Sequence, residues 1–150
     1  MIFYRHPKPE AAPGLCYGRL DLDISAEGEQ QVEKACAAPV TAAKVISSPA
    51  KRAMALAQPL AAAIGAPLTI DERLWEMDFG VWEGQFWTEI DRRQSDPWAE
   101  DVYNRAPPNG ETFAALTTRV TGAIEDAGPA ACIVAHAGPI RRVHLGFELD

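Results

Sequence analysis

A chain of 150 residues, 47% hydrophobic and 23% charged, suits one folded domain with a single core. Its net charge of −7 argues against nucleic acid or an anionic membrane as the main partner, but a small anion can still be held by a few convergent arginines. No apolar run approaches membrane-spanning length, no signal-peptide pattern opens the chain, and Cys16, Cys36 and Cys132 lack metal-ligand spacing, so a soluble cytoplasmic protein with reduced thiols is expected.

The chain opens on a short apolar run that ends at Tyr4, continues with Arg5 and His6, and is broken by Pro7. That pattern predicts a buried strand whose carboxyl end opens into a loop, the place where open α/β sheets bind ligands. An arginine beside a histidine there sets a permanent forked cation next to a side chain that titrates near neutrality, a pairing suited to phosphate. After the first loop, Ser25 caps a helix with Glu27 and Glu29 in its first turn; it should run to about Ala38 and stop before Pro39. Val45 and Ile46 form a second strand core, which ends in Ser47, Ser48 and Pro49 with Arg52 close behind. Ser48 as cap and Pro49 at the first position start an alanine-rich helix that runs through Ile64 and closes at Gly65. Pro59 inside it predicts a kink or a division.

Between 85 and 108 the chain changes character: Phe86, Trp87, Trp98 and Tyr103 stand among charges, with Pro97, Pro107 and Pro108 as breaks. This stretch reads as a lid-like insertion in a single domain spanning 1–150. Two roles are open for it, a wall over the strand ends or a satellite apolar cluster away from any substrate. A further helix begins near 110–112, carries the stripe Phe113, Leu116, Val120 and Ile124, and ends at Gly128 and Pro129. Cys132, Ile133, Val134 and Ala135 then form a third strand, which ends in His136. Helical stretches between strands predict a parallel sheet, and a parallel sheet gathers Arg5, His6, Arg52 and His136 at one edge.

Phosphoryl transfer to a side chain needs a nucleophile, cations around the phosphoryl oxygens and an acid for the leaving oxygen. His6 is the candidate nucleophile, attacking phosphorus through a neutral ring nitrogen. Arg5 and Arg52 would clamp the oxygens, Arg52 from the first turns of a helix whose amino end favours anions. His136 would donate to the same oxygens, best as the imidazolium. The segment 74–84 offers three candidate acids, Glu76, Asp78 and Glu83, among large apolar groups; spacing does not choose, and two of the three should be capping or salt-bridging groups. His144, beside Arg142 and Val143, reads as a surface or late-helix residue. A zinc site built on His6, His136 and a carboxylate is disfavoured by the arginines, so neither metal nor cofactor is expected.

Together these motifs resemble the histidine phosphatase superfamily, also called the phosphoglycerate mutase-like family. Its opening Arg-His-Gly is matched by Arg5-His6-Pro7, with proline in place of glycine, and its Ser-Ser-Pro-x-x-Arg-Ala run by Ser47-Ser48-Pro49-Ala50-Lys51-Arg52-Ala53. Its Glu-x-x-Phe-Gly-x-Trp-Glu-Gly segment aligns with residues 76–84, a register that selects Glu76 as proton donor. The run His136-Ala137-Gly138-Pro139-Ile140-Arg141 matches the second-histidine motif, and Gly110-Glu111-Thr112-Phe113 matches the helix start.

The resemblance implies a three-layer α/β sandwich with a mainly parallel central sheet and helices on both faces. It implies a cofactor-independent phosphomonoesterase that works through phosphohistidine on a small phosphate ester, with a phosphoglycerate-type mutase or a phosphoryl-binding protein as alternatives. Pro7, Pro9 and the run Gly14-Leu15-Cys16-Tyr17-Gly18-Arg19-Leu20-Asp21 look like the α-ribazole phosphatase branch, which works in cobalamin assembly. In that branch the Tyr-Gly-Arg segment lies near the substrate mouth, which makes Tyr17 and Arg19 candidate substrate contacts. The family continues further past its second histidine than Asp150, so a shortened C-terminal helix and strand are expected, with a homodimer covering the uncovered surface.

Overall fold

The computed structural model describes residues 1–38 and 40–146, with side chains through Arg141. The helix capped by Ser25 ends at Ala37, followed by Ala38, and so stops before Pro39 as expected; Pro39 itself, the surface role of His144 and the shortened segment after residue 146 lie outside the described residues.

Among the described residues four short strands, β1 (Ile2–Arg5), β2 (Lys44–Ser47), β3 (Leu68–Ile70) and β4 (Ala131–Ala135), pair in the order β1-β4-β2-β3, and every pair is parallel. The last strand in sequence is therefore interior in space, and all five of its residues are buried. A parallel strand covered on both faces must be apolar on both, which is what Ala-Cys-Ile-Val-Ala supplies. Alternation along the strands divides the core in two. Cys132 and Val134 share one face with Val45 and pack against Leu56 and Leu60 of α2 (Lys51–Ile64), and α1 (Ala26–Ala37) packs on the same cluster through Val32, Ala35 and Cys36. Ile133 and Ala135 share the other with Ile46 and pack against Ala123 and Ala127 of α4 (Phe113–Ala127). Helices thus cover both faces of an all-parallel sheet. A last helix, α5 (Ala137–Gly146), leaves β4 directly and contacts α4 and β1. No described helix is long and apolar enough to cross a membrane.

Local signals shape most helix ends. Ser25 Oγ accepts from Gly28 N at 3.2 Å to cap α1, and Thr112 Oγ1 accepts from Ala115 N at 3.1 Å to cap α4. Gly65 closes α2 in the left-handed region, φ +67°, as a residue without a Cβ can.

Elsewhere tertiary packing overrides the local signal. Helix α2 begins at Lys51, not Pro49, because Ala50, at φ −57° and ψ 136°, lies outside the helical region; Ser48 Oγ accepts from Ala50 N at 3.3 Å and also contacts His136. It also runs unbroken through Pro59, the lost hydrogen bond being outweighed by the burial of Leu56, Ala57, Leu60 and Ala61. Pro97, expected to break the chain, lies inside a short helix, α3 (Arg92–Glu100), that the charged sequence did not suggest. Strand β3 was not foreseen either, being three residues at the end of the strand order, only Leu68 of them better than exposed.

Candidate active site

The hydrogen-bond ladder continues one residue past the strands. His6 N donates to Ala135 O at 2.8 Å and Ser48 N to Val134 O at 3.0 Å, which places the loops after β1, β2 and β4 side by side. His6 and His136 consequently stand with ring centroids 5.0 Å apart. His6 is 7% exposed, and its Nδ1 lies 2.8 Å from the Pro7 carbonyl. A carbonyl only accepts, so Nδ1 carries the ring proton and the lone pair is on Nε2. Burial pushes the pKa of His6 down to about 4; the Pro7 carbonyl opposes this, and the Arg52 and Arg5 charges reinforce it. At neutral pH this ring is an uncharged base.

His136 is fully buried, with Nε2 2.8 Å from Ser48 Oγ and the Trp75 ring stacked on it at 6.3 Å. Burial, followed by the charges of Arg52, His6, Arg119 and Arg5, holds its pKa well below the ordinary value. This corrects the expectation of an imidazolium: desolvation and surrounding cations keep the ring neutral, and only an anion beside it would reverse that. Among the described residues nothing bonds its Nδ1.

Arg52 is also fully buried. Its Nη1 donates to Leu20 O at 2.8 Å and its Nη2 to Gly18 O at 2.7 Å, while Cζ sits 5.3 Å from the centre of the Tyr17 ring. The guanidinium assigned to phosphoryl oxygens therefore also fastens the loop that carries Tyr17, and its Nε has no bonding partner among the described residues. Arg5 is exposed and lines the cleft beside His6.

That cleft, of about 400 Å³, is lined by Arg5, His6, Tyr17, Glu76, Trp87 and Arg141 among others. Of the three candidate acids only Glu76 reaches it. Its Oε1 accepts from Met77 N at 2.9 Å and from Gly138 N at 3.1 Å, in the first turn of α5, where a helix favours negative charge. Residue 138 must be glycine for this approach, since a Cβ there would lie 2.3 Å from Oε1. Asp78 accepts from Gly80 N at 2.8 Å to tie a turn, and Glu83 collects the backbone N–H groups of Gly18, Arg19, Leu20 and Phe79. Both serve the backbone.

Tyr17 lines the cleft, but Arg19 does not. Arg19 Nε donates to Glu76 O at 3.0 Å, its Nη2 pairs with Glu111 at 3.8 Å, and its Cζ lies over the Trp75 ring at 5.5 Å. It braces the main chain of the acid rather than facing a substrate. A second brace escaped sequence reasoning. Arg119 donates to the carbonyls of Arg73 and Trp75, both at 2.7 Å, and of Glu76 at 3.0 Å, while ion-paired with Glu111. Glu111 in turn accepts from Asp78 N at 3.0 Å. Nothing in spacing links Arg119 to a segment more than 40 residues earlier. Arg141, noted only as part of a motif, also faces the cleft. Among the described residues no group of three or more His, Cys, Asp or Glu side chains could hold a metal ion.

A neutral histidine, two arginines and one carboxylate thus line a single cleft at the carboxyl edge of a parallel sheet, while Arg52 and His136 stay fully buried and do not line it, His136 with its ring 5.0 Å from that of His6; such a set suits phosphoryl transfer. The histidine phosphatase superfamily (branch 1) matches residues 1–148, and the chain belongs to that family. It is 28% identical, over 165 aligned positions, to phosphoserine phosphatase 1 of Hydrogenobacter thermophilus, covering 100% of this chain and 78% of that protein. It is 32% identical over 127 positions to the glucosyl-3-phosphoglycerate phosphatase of Mycolicibacterium vanbaalenii, covering 79% of this chain and 55% of the relative. The solved α-ribazole phosphatase from Shigella flexneri superposes with a TM-score of 0.82 at 27% identity, over 92% of this chain and 74% of the other. The names of these three carry three different substrates, so likeness establishes the superfamily and leaves the branch open.

Proposed function

We propose that this protein is a phosphomonoesterase that hydrolyses a small phosphate ester through a phosphohistidine on His6, using neither metal nor cofactor. The observation that carries this reading is the bond between His6 Nδ1 and the Pro7 carbonyl, which leaves Nε2 free and uncharged. Nε2 attacks phosphorus, the ester P–O bond breaks, and Glu76 gives its proton to the departing alcohol oxygen. Water then attacks the phosphohistidine, Glu76 takes its proton, and the N–P bond breaks to release phosphate and restore His6. Arg5, Arg52 and His136 stabilise the charge on the equatorial oxygens, and Tyr17 contacts the substrate at the mouth.

Three esters compete as substrate: α-ribazole 5′-phosphate, supported by the run Gly14 to Asp21 and by the Shigella likeness, then phosphoserine and a phosphoglycerate ester, supported by the relatives' names. Phosphate release from each, with chelator present and His6→Ala alongside, tests the proposal. Turnover that disappears in the variant is expected; turnover that survives it would remove His6 as nucleophile.

A further inference from the structure

We infer that the alcohol half of the substrate is flat and apolar, and that the wall formed by Trp87 and Trp98 selects it. This rests on the reading of Glu76 as proton donor. Two clefts meet at Arg5, His6 and Tyr17. The first contains Glu76. The second, of about 550 Å³, is lined beyond the shared residues by Lys8, Pro9, Glu27 and Gln31, and its one carboxylate, Glu27, is ion-paired with Lys8. A proton donor must reach the oxygen that departs, so the alcohol leaves on the Glu76 side.

On that side the cleft changes chemistry along its length. Arg5, His6 and Glu76 make the reacting end. Arg141 belongs with them, since it lies three residues after Gly138, the residue that bonds Glu76, and so on the same face of α5. Apart from Tyr17 at the junction with the second cleft, the large side chains of the remaining lining are apolar: Leu15, Met77, Phe79, Trp87, Trp98 and Phe113. Trp87 and Trp98 stack on each other at 5.9 Å and 18°, and Phe79 meets both edge-on at 5.4 and 6.1 Å. Trp98 is backed by the buried ring of Trp82 at 5.3 Å. The wall is therefore packed before a ligand arrives, while Trp87 stays 38% exposed.

Such a surface rewards a ring laid against it and penalises an ammonium or carboxylate that would lose water there without gaining a charged partner. Among the described residues lining this cleft a second anionic group on the alcohol finds no further cation, because Arg5 and Arg141 are the two described there and both stand at the reacting end. The volume of about 400 Å³ leaves room for a ring beyond the phosphoryl group.

The test compares kcat/KM for phosphate release from 2-phenylethyl phosphate, phosphoserine and glycerol 3-phosphate. All three are primary alkyl esters, so leaving-group chemistry is nearly constant. The aromatic ester should be favoured by at least about tenfold, as one well-placed apolar group provides. Trp87→Ala and Trp98→Ala should remove most of that preference, with Trp87→Leu as the milder variant and phosphate-dependent protection against thermal unfolding as the check that each is folded. Equal turnover of the three esters, or preference for phosphoserine, would overturn the inference and leave the phosphatase standing. No release from any ester, p-nitrophenyl phosphate included, would overturn the phosphatase reading itself.

Discussion

The sheet edge, where His6 lines the cleft and Arg52 and His136 lie fully buried nearby, and the segment 85–108, which lends Trp87, Trp98 and Val102 to the same cleft, are built in opposite ways. At the edge the side chains are buried, the main chain is registered by ladder hydrogen bonds, and each histidine ring has a fixed partner, Pro7 O or Ser48 Oγ. In the wall, helix α3 has no buried residue, its ion pair Arg92–Asp96 is exposed, and order comes from aromatic rings packing on Phe79 and Trp82. On the proposed reading the difference is a division of labour, with chemistry placed where the backbone leaves no freedom and selection of the leaving alcohol where side chains can be exchanged without disturbing the sheet.

That contrast can be broken in graded steps. His6→Ala should abolish phosphoenzyme formation and turnover, read by acid-quench trapping of labelled phosphate; a phosphoenzyme in the variant would mean the edge does not hold the nucleophile. Glu76→Gln should cost about 10²–10⁴-fold on alkyl esters and far less on p-nitrophenyl phosphate, whose leaving group needs little protonation. Equal losses on both would deny Glu76 the acid role.

Arg119→Met should show the same leaving-group signature at about a hundredfold, because it frees the three carbonyls that hold Glu76 in place, though it touches no substrate. A loss that does not depend on the leaving group would make Arg119 a purely structural residue.

Acid should weaken the edge before the wall. His6 binds a proton near 6.5 when unfolded and near 4 when folded, so the unfolded state holds more protons between those values. Stability is full above about pH 6.5 and is lost as pH falls toward 4, by about 3 kcal/mol for His6, with buried His136 adding in the same direction. Urea unfolding that is independent of pH across this window would refute the buried neutral state. The smallest effect belongs to the outer wall, where Arg92→Ala should change stability by no more than about 0.5 kcal/mol, the worth of an exposed i,i+4 pair.

Much of this molecule was legible in its residues, and the legible parts share a cause. The cap at Ser25, the helix start near Thr112, the glycine stop at Gly65 and the strand-to-loop breaks after Arg5 and Ala135 depend on neighbours a few residues away, so the sequence order alone carries them. The interior place of β4 was set by its pairing with β1 on one side and β2 on the other, which its run apolar on both faces suits. What only the tertiary structure decided depends on groups far apart in the chain. Glu76, Asp78 and Glu83 sit within eight residues and are chemically alike, yet Gly138 draws one to the cleft while Gly80 and the loop 18–20 occupy the others. Arg19 became a brace because Glu76 O and Trp75 lie beside it, and His136 became neutral because burial beside Arg52 and Arg119 leaves no water to support its charge. Sequence order determines which groups are available, and long-range packing determines which meet, since desolvation and hydrogen bonding exist only once the chain has brought distant partners together.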